Sequence, residues 1–307
     1  MSRALVLAAA IDIGSNTTRL LVAEPQEGQL KTVMQQRAYT RIGKGSKHNG
    51  KIKKEKVEEV AEVVATQVRL AEEMGAEVIR IVATAAIREA KNRDKAVKRI
   101  SEAAGLDVDV LGEEEEGRLA FLGATKGLGL PAEGEICVVD VGGGSSEVVT
   151  GTVEEGVREV RSFAIGSGAL ADDFLHDDPP SASELREVRE YIAEFFEDVE
   201  LPQPEQAVAV GGSATSLRTL VGAVLEYETM ERAVRVLATT EIAEVAQRFE
   251  LDPTRVRMLP TGVLILEKLS QMLGQPLQIG KGGLREGVIL ALLNGSTNGS
   301  SQRAIAA

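Results

Sequence analysis

Ile136-Cys137-Val138-Val139-Asp140-Val141-Gly142-Gly143-Gly144-Ser145 is a continuous apolar run that reaches an acid at its tip and then breaks into three glycines. A run of this length and character reads as a buried strand, and the glycines as a tight turn at its end. Upstream, Ile11-Asp12-Ile13-Gly14 has the same form. Placing Asp12 over Asp140 also brings Ile42-Gly43-Lys44-Gly45 onto Ile165-Gly166-Ser167-Gly168, with small gaps. The chain therefore contains an internal repeat of about 128 residues, each copy opening with three strands and a Gly turn. Two similar α/β domains facing one another across a cleft are expected, at 1–125 and 126–294. Residues 295–307 are polar and Gly/Ser-rich and read as a disordered tail.

Between the two copies the pattern alternates. Val57, Val60, Ala61, Val64, Val68 and Ala71 keep helical spacing over 54–74, and Gly75 stands where a helix cap belongs. Strand 78–83, helix 92–104 and strand 107–111 follow, which favours a mostly parallel central sheet. In the second copy, strands 146–151 and 157–165 precede a helix from Ser181-Ala182-Ser183-Glu184, whose spacing is that of a capping box. Strand 206–211, helices 214–222, 239–248 and 260–273, strand 277–280 and helix 284–293 complete the reading.

Composition narrows the function. The 307 residues carry a formal charge of −12, 3% aromatics and no Trp, which argues against an open stacking surface for nucleic acid. Cys137 is the only cysteine, so an intrachain disulfide and a Cys-rich zinc site are excluded, and a reducing compartment fits. The two histidines, His48 and His176, make a His-based metal centre or triad improbable. The apolar run 4–11 is cut by Asp12, far short of the roughly 20 residues of a membrane span. It reads as a core strand, and the protein is expected to be soluble and cytoplasmic.

Four strand-to-Gly junctions could carry chemistry: Asp12 to Thr17, Asp140 to Ser145, Gly211-Gly212-Ser213, and Gly280-Lys281-Gly282-Gly283. Gly turns let successive amides point into one concavity that a phosphate can enter; each is equally a turn that simply needs positive φ. Asp12 and Asp140 at strand tips beside such turns could hold Mg²⁺ against phosphate, or cap the turns. Glu113-Glu114-Glu115-Glu116 opens a helix, where acids suit the dipole; alternatively one of them faces the cleft and takes a proton from water. Arg88 falls near a sheet edge, where a guanidinium could fork onto phosphate oxygens. From Arg37 to Lys56 there are eight basic side chains and one acid, a local field that suits an anion.

Taken in order, Asp12-Ile13-Gly14-Ser15-Asn16-Thr17-Thr18-Arg19, Ala83-Thr84-Ala85-Ala86-Ile87-Arg88 with Asn92, Glu115-Glu116-Gly117-Arg118-Leu119, Asp140-Val141-Gly142-Gly143-Gly144-Ser145-Ser146-Glu147, Gly166-Ser167-Gly168 and Leu284-Arg285-Glu286-Gly287 resemble the exopolyphosphatase/guanosine pentaphosphate phosphohydrolase (Ppx/GppA) family. The resemblance spans roughly 8–293 and is to the short two-domain members, without the helical C-terminal domains that help longer relatives hold long polymers. It implies two ribonuclease H-like domains of the actin-like ATPase superfamily. It implies Glu116 as catalytic base, with Glu115 the other register, and Asp140 as catalytic or Mg²⁺-holding, with Glu147 and Asp12 as further metal candidates. Gly14, Ser15, Asn16 and Thr17, and Gly142, Gly143, Gly144 and Ser145, resemble two phosphate-binding loops lined by Arg88 and Arg19. Gly212 and Ser213 fall in the segment that contacts adenosine in related ATPases. The expected reaction is release of orthophosphate from the end of inorganic polyphosphate with Mg²⁺ or another divalent cation. The 5′-terminal phosphate of pppGpp offers the same terminal group. A kinase of the same superfold and a non-catalytic phosphate sensor stand as rivals, and a homodimer is admissible.

Overall fold

Ala8, Ala9, Ala10, Ile11 and Ile13 have no accessible surface, because small and branched side chains on a central strand pack on both faces of a sheet. The computed structural model describes residues 6–26, 29–43, 50–126 and 134–295. In chain order the elements are β1 (Ala8–Ile13), β2 (Thr18–Gln26), β3 (Gln29–Ala38), α1 (Lys54–Glu73), β4 (Val78–Ala83), α2 (Ala85–Arg88), α3 (Arg93–Ala104), β5 (Val108–Val110) and α4 (Glu113–Lys126). The second copy follows as β6 (Ile136–Val141), β7 (Ser146–Thr152), β8 (Gly156–Phe163), α5 (Ser167–Phe174), α6 (Ala182–Phe195), β9 (Gln206–Val210), α7 (Gly211–Val221), β10 (Val224–Leu225), α8 (Tyr227–Thr239), α9 (Ile242–Phe249), α10 (Pro253–Leu273), β11 (Leu277–Ile279) and α11 (Leu284–Leu293).

The chain forms two compact units, 1–127 with 282–307, and 128–281. In the first, a five-stranded sheet has the order β3-β2-β1-β4-β5; β1 runs antiparallel to β2 and parallel to β4. Alternate residues of β1 face opposite ways. Ala9, Ile11 and Ile13 pack with Val57, Val60 and Val64 of α1, while Ala8 and Ala10 pack with Leu119 of α4 and Val288 and Ile289 of α11. The last helix therefore belongs to the first unit, which corrects the division that placed all of 126–294 in the second. The cause is close helix packing. A Cβ on Gly123 would lie 2.0 Å from Gly283 O, and one on Gly287 would lie 1.8 Å from Leu119 O, so α4 and α11 approach backbone to backbone.

The second unit holds a six-stranded sheet, β10-β11-β9-β6-β7-β8, with β6 antiparallel to β7 and parallel to β9. Its β6-β7-β8 meander repeats β1-β2-β3, as the internal repeat predicts. Ser181 and Glu184 form the expected capping box of α6. Four departures from the sequence reading are helical: α2, α5, α8 and the first two turns of α10. In α10, Pro260 lies inside the helix rather than at its start, and the N-cap is Asp252, whose carboxylate accepts from Thr254 N at 2.8 Å. The tail at 296–307 and the loop residues 44–49 lie outside the described residues.

Candidate active site

The two Gly turns close in the same way. Gly14 N donates to Thr17 O at 3.0 Å and Gly142 N donates to Ser145 O at 2.9 Å. Each is held from behind by the second motif of its own copy. In the first unit, Gly43 N donates to Ser15 O at 3.1 Å and Arg41 N to Asn16 O at 3.0 Å; in the second, Ser167 N donates to Gly142 O at 2.9 Å and Ala169 N to Gly143 O at 2.8 Å. The aligned Gly43 and Gly166 are thus buttresses. At Gly166 only glycine fits, since a Cβ would stand 2.5 Å from Gly144 N. With the Gly142 and Gly143 carbonyls tied back, Gly143 and Gly144 keep N–H groups that have no acceptor among the described residues, a donor array suited to an anion.

The strand register then decides what faces each aspartate. Directly paired residues of antiparallel strands project to the same side. Asp12 pairs with Arg19, and Asp140 pairs with Glu147. In the first unit, Asp12 Oδ1 is buried without a hydrogen-bond partner. Burial pushes its carboxyl above the ordinary carboxylate range, against the pull of Arg19 and Arg285 and with a contribution from Glu286. Arg19 Nε donates to Thr17 Oγ1 at 3.0 Å. In the second unit, Asp140 lies against Gly211, whose φ of +80° and proximity (a Cβ would be 2.1 Å from Asp140 Oδ1) both demand glycine. Glu147 is buried, and Ser162 Oγ donates to its Oε1 at 3.3 Å. Two carboxylates on one sheet face, beside a loop of free amides, are the hard oxygen set that Mg²⁺ takes together with phosphate oxygens. Among the described residues no cluster of three or more His, Cys, Asp or Glu exists to form an all-protein cage.

Glu116 and Arg88 meet in the first unit. The short helix α2, absent from the sequence reading, turns Arg88 inward so that Nη1 donates to Glu116 Oε2 at 2.6 Å and to Leu111 O at 3.0 Å. Both side chains are largely buried, with 14% and 11% of their surfaces exposed. Arg88 Nη2 is also buried and has no hydrogen-bond partner; Glu113 Oε1 stands 3.8 Å away. Glu115 points elsewhere. It forms a bidentate pair with Arg118 at 2.7 and 2.8 Å on the outer face of α4, so the structure does not bring it to Arg88. The helical step of one residue, about 100°, separates the two.

Ser213 is fully buried, with its hydroxyl 3.4 Å from Ser167 Oγ; Gly212 beside it is buried as well. Within the basic stretch, Lys56 is structural, its ammonium donating to Thr40 O at 2.8 Å and to Glu59 at 2.6 Å; Lys44 and Lys47 lie outside the described residues. Asn92 clamps the strand-like residue Ile52 through both its N–H and its carbonyl, at 2.9 Å each. No helix among the described residues is long and apolar enough to cross a membrane.

Residues 21–295 match the Ppx/GppA phosphatase family. Exopolyphosphatase 1 of Mycobacterium bovis is 28% identical over 95% of this chain and 89% of its own length. Exopolyphosphatase 2 of Mycobacterium tuberculosis is 28% identical over 94% and 99%. The crystal structure of the Aquifex aeolicus member of the Ppx/GppA family is 32% identical, covers 96% of this chain and 100% of that one, and superposes with a TM-score of 0.78.

Proposed function

We propose, from the premise that the chain belongs to the Ppx/GppA phosphatase family, that it releases orthophosphate from the end of inorganic polyphosphate. The observation that carries this reading is the buried Arg88–Glu116 pair, which presents a carboxylate acceptor next to a guanidinium N–H with no hydrogen-bond partner. Glu116 is oriented by Arg88 Nη1 and accepts a proton from the attacking water. As the water oxygen bonds to the terminal phosphorus, the bridging P–O bond breaks and the shortened chain leaves as a phosphate oxyanion. Arg88 Nη2 donates to an oxygen of the transferring group, whose transition state spreads negative charge over three equatorial oxygens. In the second unit, the Gly143 and Gly144 amides are donors of the kind that phosphate oxygens accept. Asp140 and Glu147 would hold a divalent cation, Mg²⁺ in the first instance, which when bound offsets charge on the phosphate oxygens. The names of the two mycobacterial relatives support polyphosphate as the substrate.

The test is orthophosphate release from short polyphosphate, long polyphosphate, pppGpp and ATP, side by side with Mg²⁺. Turnover of polyphosphate above the others is expected. Release from pppGpp alone replaces the substrate assignment, and release from none of the four overturns the hydrolase reading.

A further inference from the structure

The second Gly loop is held by a relay that begins on α10. Thr261, fully buried, donates its hydroxyl to Ser167 O at 2.7 Å, with Met258 O also within reach at 2.9 Å. Ser167, fully buried at the first position of α5, donates its N–H to Gly142 O at 2.9 Å and its hydroxyl to the same carbonyl at 3.0 Å. Next to Thr261, Gly262 allows the close approach of α7, since a Cβ there would be 2.8 Å from Ser213 Oγ and 3.4 Å from Ser167 Cβ. The starts of α5 and α7 thus meet one turn of α10, and the loop 142–145 is joined to it through Ser167. The other end of α5 is pinned by the same helix, through Arg257, which pairs with Asp172 at 2.6 Å and donates to Leu175 O at 3.2 Å.

We infer that Thr261 is a positioning residue for the phosphate-binding loop Gly142–Ser145, acting through Ser167. The inference rests on the proposed role of that loop in binding phosphate. A hydroxyl there does what a methyl cannot. Ser167 O, in the first turn of α5, has a second lone pair beyond the one used by the helix, and the buried Thr261 hydroxyl donates to it. Thr261 supplies it from a side chain whose β-branch is already locked by packing. The loop amides are aimed by what ties down their carbonyls, and a shift of even a fraction of an ångström at donors that act on a transition state is felt in turnover.

The test compares Thr261→Val, which keeps the shape and removes the donor, with Thr261→Ser, which keeps the donor. T261V is expected to lower kcat for phosphate release about tenfold with KM changed less than about threefold, and to speed exchange of the bonded loop amides, Gly142, Ser167 and Ala169; T261S restores both. If T261V fails to fold, Ser167→Ala takes its place, with the same expected fall in kcat and rise in loop exchange. A wild-type kcat in T261V (or in S167A in its place), or a T261S variant as impaired as T261V, overturns the inference. The exchange measurement separates the two proposals. If the wild type releases no phosphate, the reaction is wrong, and unchanged loop exchange in T261V would independently dismiss the relay.

Discussion

Glu116→Gln tests the centre of the site because it removes one charge and one basic oxygen while keeping the length of the side chain. The amide oxygen of Gln can still accept from Arg88 Nη1, which now sits 2.6 Å from Glu116 Oε2, so the geometry survives and the proton acceptor does not. A positioned general base contributes about 10²–10⁴ in rate, or about 2.7–5.4 kcal/mol at 1.36 kcal/mol per decade. The fold loses less: a hydrogen bond to a charged group contributes about 1.5–3 kcal/mol, of which Gln retains a part. Glu115→Gln is the internal control. Its pair with Arg118 is about two-fifths exposed on both sides, and such surface pairs are worth at most about 1 kcal/mol. Initial rates of orthophosphate release from a short polyphosphate at saturating Mg²⁺, with thermal unfolding run in parallel, separate the two effects. E116Q should lose at least about a hundredfold in kcat with a modest change in midpoint, and E115Q should lose neither. Retention of more than about a tenth of wild-type kcat in E116Q, or an equal loss in E115Q, would refute the assignment of the base.

Two further outcomes follow from the first unit. Burial raises the Asp12 carboxyl above its ordinary 3.8, so folding favours its protonated form; that contribution is complete below the unfolded value and is lost as pH rises through the folded one. The unfolding midpoint of Asp12→Asn relative to wild type should therefore climb as pH rises above the ordinary carboxylate value, and parallel curves would show that the group is not buried as described. Gly287→Ala would place a Cβ 1.8 Å from Leu119 O and force α4 and α11 apart. Overpacking of this kind costs about 1–3 kcal/mol, outweighing the gain of up to about 1 kcal/mol in helix propensity. Denaturant unfolding should show this loss for G287A but not for Gly112→Ala, where nothing lies within 4 Å; equal stability of the two would sink the close-packing account.

The fold was legible where periodicity and glycine placement agree. The apolar strand with an acid near its tip, followed by a Gly turn, located both sheets, and the repeat of Gly43 on Gly166 marked two segments whose common task, backing the loops, appears only in three dimensions. The helices that escaped detection have physical reasons. The first turn of α5, Ser167-Gly168-Ala169-Leu170, has three small residues, and its eight residues are too few for an apolar period to stand out. Pro260 reads as a helix start, yet α10 carries it internally because the helix is buried along most of its length. The end of the first unit was hidden because Leu284–Leu293 is apolar on nearly all sides, and nothing in such a helix names the sheet it joins. Of the site, the choice between Glu115 and Glu116 turns on a rotation about α4 that a run of four acids conceals.

The repeat also explains how one ancestral loop can serve two electrostatic ends. In both copies the residue seven places after the aspartate is its cross-strand partner, Arg19 for Asp12 and Glu147 for Asp140. The turn lengths are equal, so a single position sets the polarity of each loop. With Arg19 opposite, and Arg285 adding to the positive side, Asp12 faces guanidinium groups that offset only part of the cost of its burial, and a metal there would have to compete with them. With Glu147 opposite, Asp140 faces a second acid in a buried setting, and two carboxylates held together call for a cation. For this reason the cation in our proposal is assigned to Asp140 and Glu147, and Asp12 to the support of Arg19. The net charge of −12 has no bearing on that division. Arg19 against Glu147 is a local difference between two copies of one motif, and it is where an anion-binding role and a cation-binding role separate.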